Sequence, residues 1–125
     1  MSLTAIRSDK LAPPVGPFSQ AIDSGSLIFL SGQVGLDESG KLVEGGIDAQ
    51  ARQIFRNLDA VLDAAGKSFA DVVRVGVFLT DMGDFAALNA AYAGHFAEPY
   101  PARTTVAVAA LPLGAAVEID LVVKA

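Results

Sequence analysis

Arg103 and Glu118 are the two residues whose types and settings could do chemistry in this chain. Arg103 stands in the run Pro99-Tyr100-Pro101-Ala102-Arg103-Thr104-Thr105-Val106. Prolines on either side of Tyr100 restrict the backbone and keep Ala102-Arg103 from starting a helix, so the guanidinium is expected in a stiff loop that feeds a strand. Its planar fork of donors suits a carboxylate. An arginine so placed either pairs with an acid of its own chain or holds a carboxylate ligand, and this stretch alone leaves both open. Glu118, in Val117-Glu118-Ile119, is by the same standard either a solvated strand carboxylate or a proton carrier.

Little else competes for a chemical role. The chain has no cysteine and one histidine, which excludes disulfides, thiol nucleophiles and zinc-thiolate centres. His95 lies beside Tyr92 and Phe96 with no acid or nucleophile signature around it and reads as packing. No run has metal-ligand spacing, so no metal is expected. A net charge of -5 with nine scattered basic residues argues against a nucleic-acid partner, because a phosphate backbone selects clusters of Lys and Arg.

The 125 residues read as one domain, residues 1–125, long enough for a hydrophobic core. An apolar share of 52% is high for so small a domain and points to apolar surface buried between subunits as well as within one. The stretch from Met1 to Lys10 lacks the apolar segment of a signal peptide. The longest apolar run, Val106 to Val117, is broken by Pro112 and Gly114 and is too short to span a bilayer. A cytoplasmic protein with no membrane partner is the expectation.

These residues need elements to hold them. Phe18 to Asp23 and Ser26 to Val34 are strand-like and joined by the turn Asp23-Ser24-Gly25-Ser26, which predicts a hairpin. Turn residues at Asp37-Glu38-Ser39-Gly40 and Glu44-Gly45-Gly46 enclose a further short strand. Asp48 is placed to cap a helix and Gly66 to end it. Between them Ile54, Phe55, Leu58, Val61, Leu62 and Ala65 recur at helical spacing. Asp71 to Thr80 reads as a strand. A second helix follows Asp81-Met82-Gly83-Asp84 with Phe85, Leu88, Tyr92 and Phe96 on one side.

Strands over Thr104 to Ala109 and Ala115 to Lys124 complete the order β-β-(short β)-α-β-α-β-β. That order predicts an α+β domain with one mixed sheet and both helices on one face. The other face is then neither fully polar nor fully apolar, which suits a subunit interface carrying a few functional groups. If Val73, Val75, Val77 and Leu79, with Val106 and Val108, face the helices, strand parity puts Arg103 and Glu118 together on the opposite face.

Five motifs in register now carry a resemblance. They are Gly16-Pro17-Phe18-Ser19-Gln20-Ala21, Phe29-Leu30-Ser31-Gly32-Gln33-Val34, Val77-Phe78-Leu79-Thr80-Asp81-Met82, Pro101-Ala102-Arg103-Thr104-Thr105-Val106, and Leu111-Pro112 with Val117-Glu118-Ile119. From about Ala12 to the carboxyl terminus the chain resembles the YjgF/RidA family. The resemblance implies a chorismate-mutase-like fold, a homotrimer and cofactor-free clefts between subunits. In the family's enzymatic branch it implies hydrolysis of small-molecule 2-imino acids to 2-oxo acids and ammonia.

Carried over residue by residue, the family's carboxylate-binding arginine falls on Arg103 and its water-handling glutamate on Glu118. The Ser-Gly pair that lines the cleft falls on Ser31 and Gly32, and the asparagine of the second helix on Asn89. Two positions depart from the family: Phe18 stands where tyrosine is common, and Thr105 where many members have cysteine. Both are expected to line the cleft. The missing hydroxyl at Phe18 keeps a second function class open, a non-catalytic binder of small carboxylates on the same trimeric scaffold. A third role reported in the family, nuclease or translation inhibitor, fits poorly with the acidic charge.

Overall fold

Alternation along the last strand sets up the core. In β6 (Val117–Lys124) Val117, Ile119, Leu121 and Val123 are buried, and Glu118, Asp120 and Val122 between them are half-buried on the opposite face. The computed structural model describes residues 2–125. Around β6 it arranges β1 (Thr4–Ile6), β2 (Ala21–Asp23), β3 (Leu27–Gln33), β4 (Val72–Leu79) and β5 (Ala102–Ala107) in the order β1-β2-β3-β6-β4-β5. All neighbours are antiparallel except β4 and β5, which run parallel. This is a single α+β domain with one mixed sheet and two helices.

The first helix, α1 (Gly46–Ala64), buries Ala51, Ile54, Phe55, Leu58, Val61 and Leu62. It starts two residues before Asp48, which lies in its first turn rather than at its cap; Gly45, in a left-handed conformation, takes the cap position. Gly66 ends the helix as expected, with φ 71° and its N–H on the Asp63 carbonyl. The second helix, α2 (Phe85–Ala93), joins β4 to β5 and packs on α1. Both helices cover the same face. No helix among the described residues is long and apolar enough to cross a membrane.

Other boundaries differ from expectation as well, β2 among them, which starts at Ala21 rather than Phe18. The short strand after β3 reduces to one bridge between Leu36 and Leu42, because the surrounding turns leave too few residues to propagate a ladder. At the amino terminus β1 adds an edge strand that its three short residues did not announce. Most consequentially, β5 begins at Ala102, so Arg103 is a strand residue and not part of the loop before it.

An aromatic cluster ties the helices together. Phe55 is 1% exposed and stacks on His95 at 4.1 Å between centroids. It also meets Phe69, Tyr92 and Phe96 at 6.0, 6.2 and 6.4 Å. His95 is exposed but stacks on this cluster, and desolvation lowers its pKa. Phe55→Ala should cost about 3–5 kcal/mol, as lost burial and an unfilled cavity add. Urea unfolding should show a lower midpoint at unchanged slope; a loss under about 1 kcal/mol would mean that the cluster does not hold the helices.

Candidate functional site

The predicted residues gather into two groups, one on each face of the sheet. Pairing decides which. Arg103 pairs with Val75, Thr105 with Val77 and Ala107 with Leu79, and those three β4 residues are fully buried beneath the helices. Paired residues share a face, so Arg103 and Thr105 point to the helix side. Glu118 pairs with Phe78 and Asp120 with Gly76, which puts both acids on the open face. The expectation that parity brings Arg103 and Glu118 to one side is therefore wrong for a single chain.

A bulge between Val72 and Arg74 makes Val72 the core residue in place of Val73, at 7% exposure against 43%, but Val75, Val77 and Leu79 still face the helices as expected. The error arises on the neighbouring strand. On β5 the polarity is inverted: Val106, 40% exposed, faces away from the helices while the arginine faces them.

On the helix side α2 explains the inversion. Phe85, Asn89 and Tyr92 lie at i, i+4 and i+7 and form one stripe. The Arg103 guanidinium carbon sits 4.7 Å from the centroid of the Tyr92 ring and 5.5 Å from that of Phe85, within cation–π range. The rings seat the flat guanidinium without consuming a carboxylate. Among the described residues one ion pair occurs, Arg7 with Asp9, and Arg103 has no acid partner among them.

Two buried atoms beside it also lack partners among the described residues, Asn89 Oδ1 and Thr105 Oγ1. Orphans of this kind are normally met by a ligand, a water or another chain. Burial raises the pKa of the Tyr92 hydroxyl, with the Arg103 charge opposing it. Tyr92 and Phe85 read as packing from sequence; that they share the Asn89 stripe and seat Arg103 is seen only in the structure.

On the open face β3 supplies the other group. Between the pairs Leu30–Leu121 and Gln33–Ile119 the register shifts, so Ser31 and Gly32 stand opposite Asp120 alone. The Ser31 hydroxyl donates to the Ser19 carbonyl at 2.6 Å and its N–H to the Gln20 carbonyl at 2.9 Å. Those bonds hold the Phe18 loop beside the bulge, with the Phe18 ring 54% exposed. Glu118 lies across Gly32: a Cβ there would stand 2.9 Å from its carboxyl carbon. The segment leading into β6 is held by α1, since Gln50 Oε1 accepts from the Ala116 N–H at 2.8 Å.

Burial first, and then the Asp120 charge, raise the pKa of Glu118. Burial also raises that of Asp120, opposed by the Arg74 charge and a hydrogen bond from the Gly76 backbone. Gly32 was expected in the cleft, but neither Asp120 nor the Gly76 notch stood out in the sequence, because an alternating strand acid looks like a solvated one. Three depressions of 410–470 Å³ lie along α1 and its neighbours, and none takes in Arg103 or Glu118.

A family model described as endoribonuclease L-PSP matches residues 9–125. The chain belongs to this family, the YjgF/RidA family. It is 44% identical to a 2-iminobutanoate/2-iminopropanoate deaminase of Dermatophagoides farinae, covering 98% of both chains. Among solved structures, RidA from an Antarctic Psychrobacter is 46% identical with a TM-score of 0.92, covering 98% of this chain and 99% of that one. TdcF of E. coli with bound serine is 34% identical with a TM-score of 0.89, covering 98% of each. The YjgF/RidA membership thus rests on nearly the whole chain.

The acid pair has a consequence for stability. A carboxyl whose folded pKa lies above its unfolded value holds its proton more tightly when folded, so stability falls as pH rises through that window. Thermal unfolding midpoints should therefore decline through this pair as pH rises above the ordinary carboxylate range, and Glu118→Gln should flatten the decline. An identical pH dependence in the variant would show that Glu118 is not perturbed.

Proposed function

We propose that the protein hydrolyses 2-imino acids to 2-oxo acids and ammonia at a site completed by two copies of the chain. The observation that carries this reading is the Arg103 guanidinium, seated on Tyr92 with no acid partner, on the face opposite Glu118. A relative at 44% identity bears the name of such a deaminase, and TdcF binds serine, an amino acid with the carboxylate the arginine would grip. Arg103, Thr105 and Asn89 from one copy would face Glu118, Ser31, Gly32 and Phe18 from the next. A closed ring satisfies every half-site, and the family resemblance makes that ring a homotrimer. Apolar exposure at Phe29, Val73 and Val106 on the open face supports such an assembly.

Arg103 would hold the substrate carboxylate in a charge-assisted fork, about 1.5–3 kcal/mol per hydrogen bond. The carbon of the protonated imine, C=NH₂⁺, then lies beside a water. As the water oxygen bonds to that carbon, the C=N pair moves to nitrogen and Glu118 takes the water's proton. Glu118 returns a proton to the nitrogen, the C–N bond breaks with its pair on nitrogen, and the remaining oxygen closes to the carbonyl. The hydroxyl proton leaves through the same carboxylate, and the products are the 2-oxo acid and ammonium. One positioned acid–base group contributes about 10²–10⁴-fold, enough for an imine that already hydrolyses readily. A cytoplasmic location belongs to the same reading.

Phe18 favours one other reading, a carboxylate binder without turnover, since the ring offers no hydroxyl to hold the water. A 2-imino acid generator coupled to 2-oxo acid detection separates the two. The deaminase reading expects turnover in the wild type, a modest change in Phe18→Tyr, and strongly reduced turnover with intact carboxylate binding in Glu118→Gln. Carboxylate binding without turnover, with turnover appearing in Phe18→Tyr, would establish the binder instead. Arg103→Lys should bind carboxylates poorly, since an ammonium lacks the planar fork; wild-type rates in folded Arg103→Lys and Arg103→Ala would remove Arg103 from the site. Sedimentation should give about three chain masses, and a stable monomer would overturn the composite site.

A further inference from the structure

The open face carries a second acid that the hydrolysis above does not use. Asp120 is half-buried and two residues from Glu118 on the same face of β6. The surrounding face is largely apolar, with Phe29, Phe78, Val106 and Val122. Glycines flank the acids on both neighbouring strands. Glu118 lies across Gly32 of β3, and Asp120 lies across Gly76 of β4, where a Cβ would stand 3.1 Å from the Asp120 carboxyl carbon. Glycine within a strand weakens it and marks a close approach. Here each notch lets a carboxylate lie flat on the sheet, which restrains both groups.

A salt bridge would be the ordinary use of such an aspartate. Arg74 is the cation on this part of the face, but its Nη2 donates to Thr104 Oγ1 at 3.0 Å, and no ion pair within 4 Å forms between it and Asp120 among the described residues. Around Glu118, β3 contributes Ser31 and Gly32, β4 contributes Phe78 and Gly76 with Arg74 further along, and β6 contributes Asp120. Asp120 is thus the nearest titratable neighbour on its own chain along that face, and in the proposed site the next copy's Arg103 adds a cation that is the same in the wild type and in Asp120 variants.

We propose that Asp120 is a positioning residue for the hydrolysis: its carboxylate, set in the Gly76 notch beside Glu118, makes Glu118 the better acceptor of the attacking water's proton. This rests on the deaminase reading and adds to it the residue that tunes the base. Like charge on a neighbouring site favours proton uptake, in line with the direction of the Glu118 shift. Glu118 ionised is the working form, so turnover falls as pH drops through its midpoint. Removing the Asp120 charge lowers that midpoint and carries the acid limb down with it.

The test uses the intact protein and its variants Asp120→Asn, which keeps size and shape, and Asp120→Glu, which restores the charge. Carboxyl ¹³C NMR follows the Glu118 titration without substrate, and kcat/KM for a 2-imino acid is measured against pH. Asp120→Asn should lower the Glu118 midpoint by about half a unit or more and move the acid limb by the same amount, with Asp120→Glu returning both. An unmoved midpoint in Asp120→Asn overturns the proposal whatever the turnover. A shifted midpoint in a wild type that turns over no imine overturns the deaminase reading, and with it the catalytic purpose of the pair, while the charge coupling stands.

Discussion

A β-strand sends successive side chains to opposite faces, and that parity divides the chemistry of this chain in two. Once β5 pairs with β4 so that Arg103 sits level with buried Val75, the guanidinium must emerge under the helices. Once β6 buries Val117 and Ile119, Glu118 must emerge on the other side. No rotamer change moves a side chain through a hydrogen-bonded sheet. Each chain therefore holds two incomplete halves, an arginine without a carboxylate and an acid pair without a cation in contact.

Each half is anchored in the core rather than in a mobile loop. Tyr92, which seats Arg103, packs at 4.5 Å on Phe96 and edge-on to Phe55, so the fit of the two helices sets where the guanidinium stands. Gln50 reaches from α1 to Ala116, and the Ser31 hydroxyl reaches back to the Phe18 loop. A site assembled from such halves needs little rearrangement within a chain. In the proposed site the complementary half comes from a second chain.

Much of this was readable where sequence contrast was strong. The β6 pattern Val117-Glu118-Ile119-Asp120-Leu121 sorts itself, because the strand is flanked by β3 and β4 and one face is sealed. The α1 stripe from Ile54 to Leu62 sorts itself for the same reason. The run Arg103-Thr104-Thr105-Val106-Ala107 offers no such contrast. It is an edge strand, its apolar Val106 faces outward, and its arginine is accepted indoors only because aromatic rings cover the guanidinium. The bulge at Val72–Arg74 is likewise silent in a row of β-branched residues. The motifs named the candidate residues, and the pairing registers decided which of them share a face.

The central claim is that Arg103 and Glu118 act across copies, and mixing two inactive variants tests it most directly. Arg103→Ala and Glu118→Gln chains, each inactive alone, are co-expressed with different tags and purified as mixed assemblies. In a three-membered ring that holds both variants, a site that draws Arg103 from one copy and Glu118 from the next is intact at one junction in three, about a third of the sites. The account predicts 2-imino acid turnover at about that fraction of the wild-type rate. Mixed assemblies as inactive as their parents would contradict it, placing both residues of each site in the same chain.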